Sequence, residues 1–179
     1  VAEATAWLVL GSNIRPEDNL PRALDLLGEK VRVLAVSSVW QSPPADGSAQ
    51  PDYWNAAVMI RTELSPEAVL ATLIAPIERR LGRERTADRF APRTIDIDLA
   101  LYDDRAGTYS GKRLPHPDIL SRAHAAAPLA EISPDKIHPE TGEPLRAIAA
   151  RLRTSAIRRR EDIRLSGEKT PERPPGRRN

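Results

Sequence analysis

Apolar positions along this chain fall into short segments with two different periods. The run Ala6-Trp7-Leu8-Val9-Leu10 is continuous and ends at Gly11-Ser12-Asn13, which predicts a buried strand closed by a turn. Leu20, Ala23, Leu24 and Leu27 then recur at helical spacing, with Asn19 as the expected N-cap and Gly28 as the stop. Residues 31–40 are β-branched and strand-like, and 42–51 form a Pro/Gly-rich loop. A strand over 54–62 and a helix opening at Ser65-Pro66-Glu67 follow. That helix should run to Leu81, with a kink at Pro76 because proline removes a backbone donor. A charged loop, 83–92, leads into a strand, and 103–113 reads as a hairpin connection around Gly107 and Gly111. Leu114-Pro115-His116-Pro117 is a rigid entry to a helix over 119–126, with further short helices around Leu129 and over 145–152. The order β-α-β-β-α-β predicts an α+β, ferredoxin-like sandwich: an antiparallel sheet with helices packed on it.

The strand after the charged loop carries the chemistry. In Arg93-Thr94-Ile95-Asp96-Ile97-Asp98-Leu99-Ala100-Leu101-Tyr102, strand alternation puts Ile95, Ile97, Leu99 and Leu101 on one face and Asp96 and Asp98 on the other. Two such carboxylates project in parallel, about 7 Å apart at Cα, a spacing that suits a hard divalent cation or a pair of them. A bare D-x-D is more often the solvated face of an edge strand. Here Arg83, Arg85, Arg89 and Arg93 precede it and His116 and Arg122 follow. Carboxylates for a metal beside cations for an anion point to a metal–phosphate site.

Composition narrows the picture without redirecting it. A chain of 179 residues with 40% hydrophobic content has the size and make-up of one globular domain. No apolar run is long enough to span a membrane, and the start of the chain is not basic, so neither a spanning helix nor a signal peptide is expected. With no cysteine, disulfides, thiolate metal sites and a cysteine nucleophile are excluded, and a cytoplasmic address is expected. Residues 158–179 hold eight Lys/Arg and four Asp/Glu, leaving 19 basic and 21 acidic residues elsewhere, so the basic balance belongs to the tail. The expected organisation is one catalytic domain over 1–157 and a basic, Pro/Arg-rich, mobile tail over 158–179. Nucleic acid is not the expected partner, and the chain is expected to act as a monomer.

Several motifs occur together in order. Gly11-Ser12-Asn13, Ser42-Pro43-Pro44, Gln50-Pro51-Asp52-Tyr53-Trp54-Asn55-Ala56, Leu81-Gly82-Arg83, Pro92-Arg93-Thr94-Ile95-Asp96-Ile97-Asp98, Leu114-Pro115-His116-Pro117 and Pro128-Leu129-Ala130-Glu131-Ile132 are spaced as in one known family. From about Leu8 to about Leu152 the chain resembles the 6-hydroxymethyl-7,8-dihydropterin pyrophosphokinases of the folate pathway. The resemblance implies transfer of the β,γ-pyrophosphate of ATP to the hydroxymethyl group of a reduced pterin, with release of AMP. It implies two Mg²⁺ ions held by Asp96 and Asp98, and catalytic roles for Arg83 and Arg93. It places Arg85, Arg89, His116 and Arg122 on ATP, and Ser42, Pro43, Ala45, Tyr53, Asn55 and His124 on the pterin. An Asn offers a donor and an acceptor to the amide-like edge of a pterin. By alternation only one of Tyr53 and Trp54 faces the site.

The sequence departs from the family pattern on the pterin side. His124 stands where an aromatic, most often Phe, stacks on the pterin, and Ala125, Ala126 and Ala127 follow it. The usual R-W-G-P-R reads Arg89-Phe90-Ala91-Pro92-Arg93. Imidazole stacks as a smaller ring and titrates. Two alternatives follow: a related Mg-dependent pyrophosphokinase acting on a different pterin or related alcohol, or a ferredoxin-like RNA-binding module. The latter needs aromatic-rich strands, and aromatic residues make up only 4% of this chain.

Overall fold

The computed structural model describes residues 2–88, 90–153 and 155–165. Arg89 and the stretch 166–179, which holds most of the expected tail, lie outside them.

Strand β1 (Ala4–Ser12) is followed by helix α1 (Pro16–Gly28), then β2 (Arg32–Val36), β3 (Val39–Ser42) and β4 (Tyr53–Thr62). A helical stretch comes next, built of α2 (Pro66–Ala68), a π-helical turn (Val69–Ile74) and α3 (Ala75–Arg80). Strand β5 (Asp96–Tyr102), the hairpin β6 (Gly107–Tyr109) and β7 (Lys112–Leu114), helices α4 (Asp118–Ser121), α5 (Ala123–Ile132) and α6 (Leu145–Leu152), and strand β8 (Arg158–Arg160) complete the chain. The main sheet runs β5-β1-β4-β3-β8, with β2 also on β4, and every pairing is antiparallel. The first five strands and the two helical stretches between them run β-α-β-β-β-α-β, the expected β-α-β-β-α-β order with its second strand split in two.

Both faces of the sheet are covered. Leu8 and Leu10 of β1, Ile60 of β4 and Ile97 and Leu99 of β5 pack against Leu20, Leu24 and Leu27 of α1 and Leu73 and Ile77 of the second helical stretch. On the other face Trp7, Val9, Ala57 and Leu101 meet Ile119, Leu129 and Ile148. Strand alternation feeds the two cores in turn, which is why β1 is apolar on both faces.

Four local details differ from the sequence reading. Helix α1 starts at Pro16 rather than after Asn19: proline at the first position needs no donor, and Asn19 lies inside the helix, donating Nδ2 to Ile14 O at 2.6 Å. The stretch 31–40 is two strands, broken at Ser37-Ser38. The irregularity at Pro76 is a widened turn before it, where Ala75 N reaches Leu70 O, one residue further back than in an α-helix. Leu101 does not share a face with Ile97 and Leu99. The pairing with β1 shifts register between Trp7 and Leu8, Ala100 is the extra residue, and Leu101 turns to the second core. The expected boundary at residue 157 also needs correction: Arg158–Arg160 pair with β3, and Ile163 and Leu165 pack on the first core.

Candidate active site

The register of three strands builds the site. Gly11 of β1 pairs with Asn55 of β4 on one side and Asp96 of β5 on the other, so the row Asn55–Gly11–Asp96 crosses the sheet. Neighbouring strands lie about 4.8 Å apart, so Asn55 and Asp96 stand about 10 Å apart at Cα. The next row is Ala57–Val9–Asp98. Gly11 keeps the floor open: a Cβ there would sit 3.4 Å from Asn55 Oδ1 and 3.8 Å from Tyr53 Cδ1. Above this floor lies a cavity of about 240 Å³. Its walls include Ser42, Pro43, Ala45, Tyr53, Asn55, Arg93, Asp96, Asp98, His116, Arg122 and His124, all expected from the sequence. Tyr53 is the aromatic that faces the cavity, while Trp54 packs on the first core. A wider hollow of about 450 Å³ shares Ser42–Ala45 and His124 but none of the paired carboxylates.

The two aspartates are in different electrostatic states. Asp96 is ion-paired with Arg93 Nη1 and lies 3.6 Å from Arg83 Nη2. Asp98 faces His116, whose Nε2 is 3.7 Å from Oδ1. Its side chain remains one-third exposed, yet protein surrounds it on the pocket floor. Desolvation first, and the neighbouring Asp96 second, push its carboxyl up to about 6 against the pull of His116. The Asp118 N–H donates to His116 Nδ1 at 3.2 Å, so in the neutral ring the proton sits on Nε2 and points toward Asp98.

The cations fall into three groups. Arg93 and Arg122 line the cavity, while Arg83 sits behind Asp96 with only 10% of its side chain exposed. Arg83 Nε is buried without a protein acceptor. Arg85 is turned away from the cavity onto Glu78 at 2.9 Å.

Some residues that shape the cavity were not among the expected site residues. Glu78 reads as an ordinary helix charge, yet it is 3% exposed and accepts from Ile97 N at 2.9 Å, which fixes the start of β5 between the two aspartates. Burial pushes its carboxyl up, while Ile97 N–H and Arg85 oppose the shift. Asn13 is a buried hub. Its Oδ1 accepts from Arg93 N at 2.8 Å, and its Nδ2 donates to Gln50 Oε1 at 3.1 Å and Pro51 O at 3.3 Å. Gln50 donates onward to Phe90 O at 2.8 Å. The loops at 11–15, 43–52 and 83–95 are thereby tied together at the cavity mouth. The Gly11-Ser12-Asn13 motif marked that position without its role. One expectation changes: both N–H groups of Asn55 are engaged, by Trp40 O and Ser42 Oγ at 2.9 Å each, so Asn55 presents its acceptor Oδ1 to the cavity.

Paired carboxylates and buried guanidiniums around one concave floor suit a polyphosphate with its counter-ions. The profile of the family described as 7,8-dihydro-6-hydroxymethylpterin-pyrophosphokinase (HPPK) matches residues 7–134. The chain belongs to this family. It is 38% identical over 151 residues to the 2-amino-4-hydroxy-6-hydroxymethyldihydropteridine pyrophosphokinase of Synechocystis sp., covering 83% of this chain and 76% of that one. It is 39% identical over 159 residues to the protein of the same name from Methylorubrum extorquens, covering 87% and 98%. Among solved structures, a Plasmodium falciparum HPPK-DHPS superposes with a TM-score of 0.68 at 12% identity, which shows a shared fold. The match covers 88% of this chain and 49% of that one, so this chain spans about half of the two-enzyme protein. As an HPPK-family member the chain is an ATP-dependent diphosphotransferase of folate biosynthesis, and the RNA-binding alternative is not favoured. No helix among the described residues is long and apolar enough to cross a membrane.

Proposed function

We propose that the reaction runs along the row Asn55–Gly11–Asp96, with 6-hydroxymethyl-7,8-dihydropterin on the Asn55 side and the triphosphate of ATP on the Asp96 side. The observation that carries this reading is that one strand register sets an amide acceptor and a metal-type carboxylate pair about 10 Å apart across a glycine. The hydroxymethyl oxygen attacks the β-phosphorus, the bond from that phosphorus to the α-phosphate oxygen breaks, and AMP leaves. Ser42, Pro43 and Ala45 form one wall for the ring, with Tyr53 beside them and His124 opposite on α5. Asn55 Oδ1 accepts from the N–H groups of the pterin edge.

The donor set fits Mg²⁺. Among the described residues no cluster of three or more metal-ligating side chains occurs. Asp96 and Asp98 would supply part of a coordination shell, which suits an ion that takes one or two carboxylates and leaves the rest of its shell to substrate phosphates. Asp96 and Asp98 would hold the two Mg²⁺ ions, which would supply positive charge to offset that of the triphosphate. Arg83 and Arg93 are held close by through Asp96. The buried, unpartnered Nε of Arg83 is a donor that a phosphate oxygen would satisfy. His116 and Arg122 approach the triphosphate from the opposite wall, and Arg85 and Arg89 join when the charged loop folds over the nucleotide. We take the enzyme to act as a monomer in the cytoplasm, a reading that sedimentation of the purified chain tests for the first part. AMP formation from ATP, Mg²⁺ and the reduced hydroxymethylpterin tests the reading, with other pterin alcohols as comparison. Comparable turnover on an unrelated alcohol would overturn the assignment of the pterin side.

Two expected outcomes arise here. The first concerns the loops. Asn13 and Gln50 tie them by a few hydrogen bonds at the mouth, and closure over both substrates excludes water. Amide hydrogen exchange over 43–50 and 84–88 should slow at least about tenfold with Mg²⁺, a non-hydrolysable ATP analogue and pterin together. Equal protection in the free and ternary states would count against closure.

The second concerns His124. Burial, with help from the charges of Arg122 and His116 and against the pull of Asp118, holds its imidazole below the ordinary 6.5. The ring is then neutral at pH 7 and stacks as a neutral aromatic. Pterin affinity should be flat near neutrality and fall only as the pH drops below the ordinary imidazole range, where the ring must take up a proton against its surroundings. His124→Phe should bind pterin more tightly and lose the acid limb. Calorimetric titration at several pH values decides the point, and identical profiles for the two proteins would remove His124 from the pterin face.

A further inference from the structure

Strand β8 lies at the edge of the sheet, one strand beyond the pterin-side wall. Arg159 stands opposite Trp40 of β3, and Trp40 stands opposite Asn55 of β4. Arg159 donates from Nε to Ser38 Oγ at 2.9 Å, and its Nη2 lies 3.4 Å from Glu131 Oε1. Glu131, on α5, takes three more donors: Ser38 N at 3.0 Å and Ser38 Oγ at 2.7 Å on one oxygen, and Trp40 Nε1 at 2.7 Å on the other. Burial opposes its charge, but these donors and Arg159 outweigh it and hold the carboxyl below the usual range.

This cluster sits on the break between β2 and β3, where the chain leaves regular pairing at Ser37-Ser38. A break of this kind would let β3 slide or tilt. Glu131 and Arg159 close it from two directions, α5 and β8. What β3 then presents is the Trp40 carbonyl and the Ser42 hydroxyl, the two acceptors that take both N–H groups of Asn55. On the opposite face Arg158 and Arg160 donate to Gln41 Oε1 at 3.2 and 2.7 Å, and Gln41 Nε2 reaches Asp52 Oδ2 at 2.7 Å, next to Tyr53.

We propose that Arg159 and Glu131, neither of which lines the cavity, are positioning residues for the pterin: they lock β3 so that Asn55 aims Oδ1 at the substrate. The proposal rests on the reading of Asn55 as a pterin contact. Its effect is confined to that side, because β8 and β3 lie on the far side of β4 and β1 from β5, which carries Asp96 and Asp98.

The test uses the full chain and the variants Arg159→Ala, Arg159→Lys, Glu131→Gln, Asn55→Ala and Arg159→Ala/Asn55→Ala. The readouts are calorimetric Kd for 6-hydroxymethyl-7,8-dihydropterin in the presence of Mg²⁺ and a non-hydrolysable ATP analogue, Kd for the analogue alone, KM and kcat, and melting temperature. Arg159→Ala and Glu131→Gln should weaken pterin binding about tenfold, the size of a lost charge-assisted hydrogen bond. KM for the pterin should rise in step, while kcat and nucleotide affinity stay within about twofold. Arg159→Lys, which keeps a donor for Ser38, should recover most of the loss. In the Asn55→Ala background Arg159→Ala should add less than about twofold, since both changes act through one contact.

Equal weakening of nucleotide and pterin by Arg159→Ala, additive losses in the double variant, or a lowered melting temperature with unchanged pterin affinity would each overturn the proposal. Asn55→Ala with normal pterin affinity would overturn the reading of the pocket itself, and the proposal with it. Arg159 is half exposed, so its variants test the idea even if Glu131→Gln folds poorly.

Discussion

Asp96→Asn and Asp98→Asn should each lower kcat by on the order of 10³-fold or more, because each removes a carboxylate from the proposed metal-binding pair. The two variants should separate in stability without ligand. Asp98 titrates at about 6 in the fold, against about 4 in an unfolded chain. Its ionised carboxyl therefore disfavours the folded state. Below pH 4 both states carry the proton and nothing is lost. From pH 4 to pH 6 the unfolded chain ionises while the folded carboxyl keeps its proton, so stability falls, and above pH 6 the full cost is present. Asp98→Asn removes that cost and should be more stable than the parent above pH 6 by about 1–2 kcal/mol, allowing for water at the open mouth, and equal to it at pH 4. Asp96→Asn should behave oppositely, since it leaves Arg83 and Arg93 facing one another without their shared counter-charge. Thermal melts in EDTA across pH 4–8, beside AMP-release assays at saturating Mg²⁺, check both statements. Near-parental turnover by either variant would overturn the metal-pair assignment. The same linkage makes Mg²⁺-nucleotide binding weaken as pH falls through about 6, because the ion displaces the Asp98 proton.

Arg83→Ala and Arg93→Ala should each lower kcat by roughly 10²–10³-fold, the range seen when one donor to developing transition-state charge is removed. The two should differ in KM. Arg83 is almost wholly buried behind Asp96 and keeps a donor without an acceptor, so its removal should also disturb the carboxylate pair. Arg93 lines the cavity, and its backbone N–H and carbonyl are held by Asn13 and Ile14, so its side chain can be deleted without unfixing the loop. Arg93→Ala should therefore lower kcat with KM for ATP within a few-fold, whereas Arg83→Ala should move both. Steady-state kinetics at several Mg²⁺ concentrations separate the two, and equal, small effects on kcat would remove both arginines from the reaction.

Two periods in the sequence determined much of this protein. The helical repeat Leu20, Ala23, Leu24, Leu27 and the alternation around Asp96 and Asp98 are local consequences of backbone geometry, so the ferredoxin-like order and the carboxylate pair were legible before any contact was known. The cluster of motifs then named the cations and the residues expected on the pterin, and the cavity gathers most of them. The tertiary structure decided what depends on residues distant in sequence. Register across β4, β1 and β5 set Asn55 and Asp96 in one row over Gly11, and no local pattern encodes register. The extra residue at Ala100 turned Leu101 to the second core, a bulge that alternation alone cannot foresee. Asp96 became a paired carboxylate because Arg83 and Arg93 converge on it, and the Asp98 carboxyl was pushed up because the pocket floor buries it beside Asp96. Glu78 read as an ordinary helix charge, and the motifs holding Asn13 and Glu131 marked their positions without their roles, since a buried hydrogen-bond hub is defined by its partners rather than its type. Arg158–Arg160 read as tail because charge composition predicts solvation, yet β3 offered an unpaired edge, and backbone pairing with side-chain acceptors at Ser38, Gln41 and Glu131 drew those arginines into the sheet.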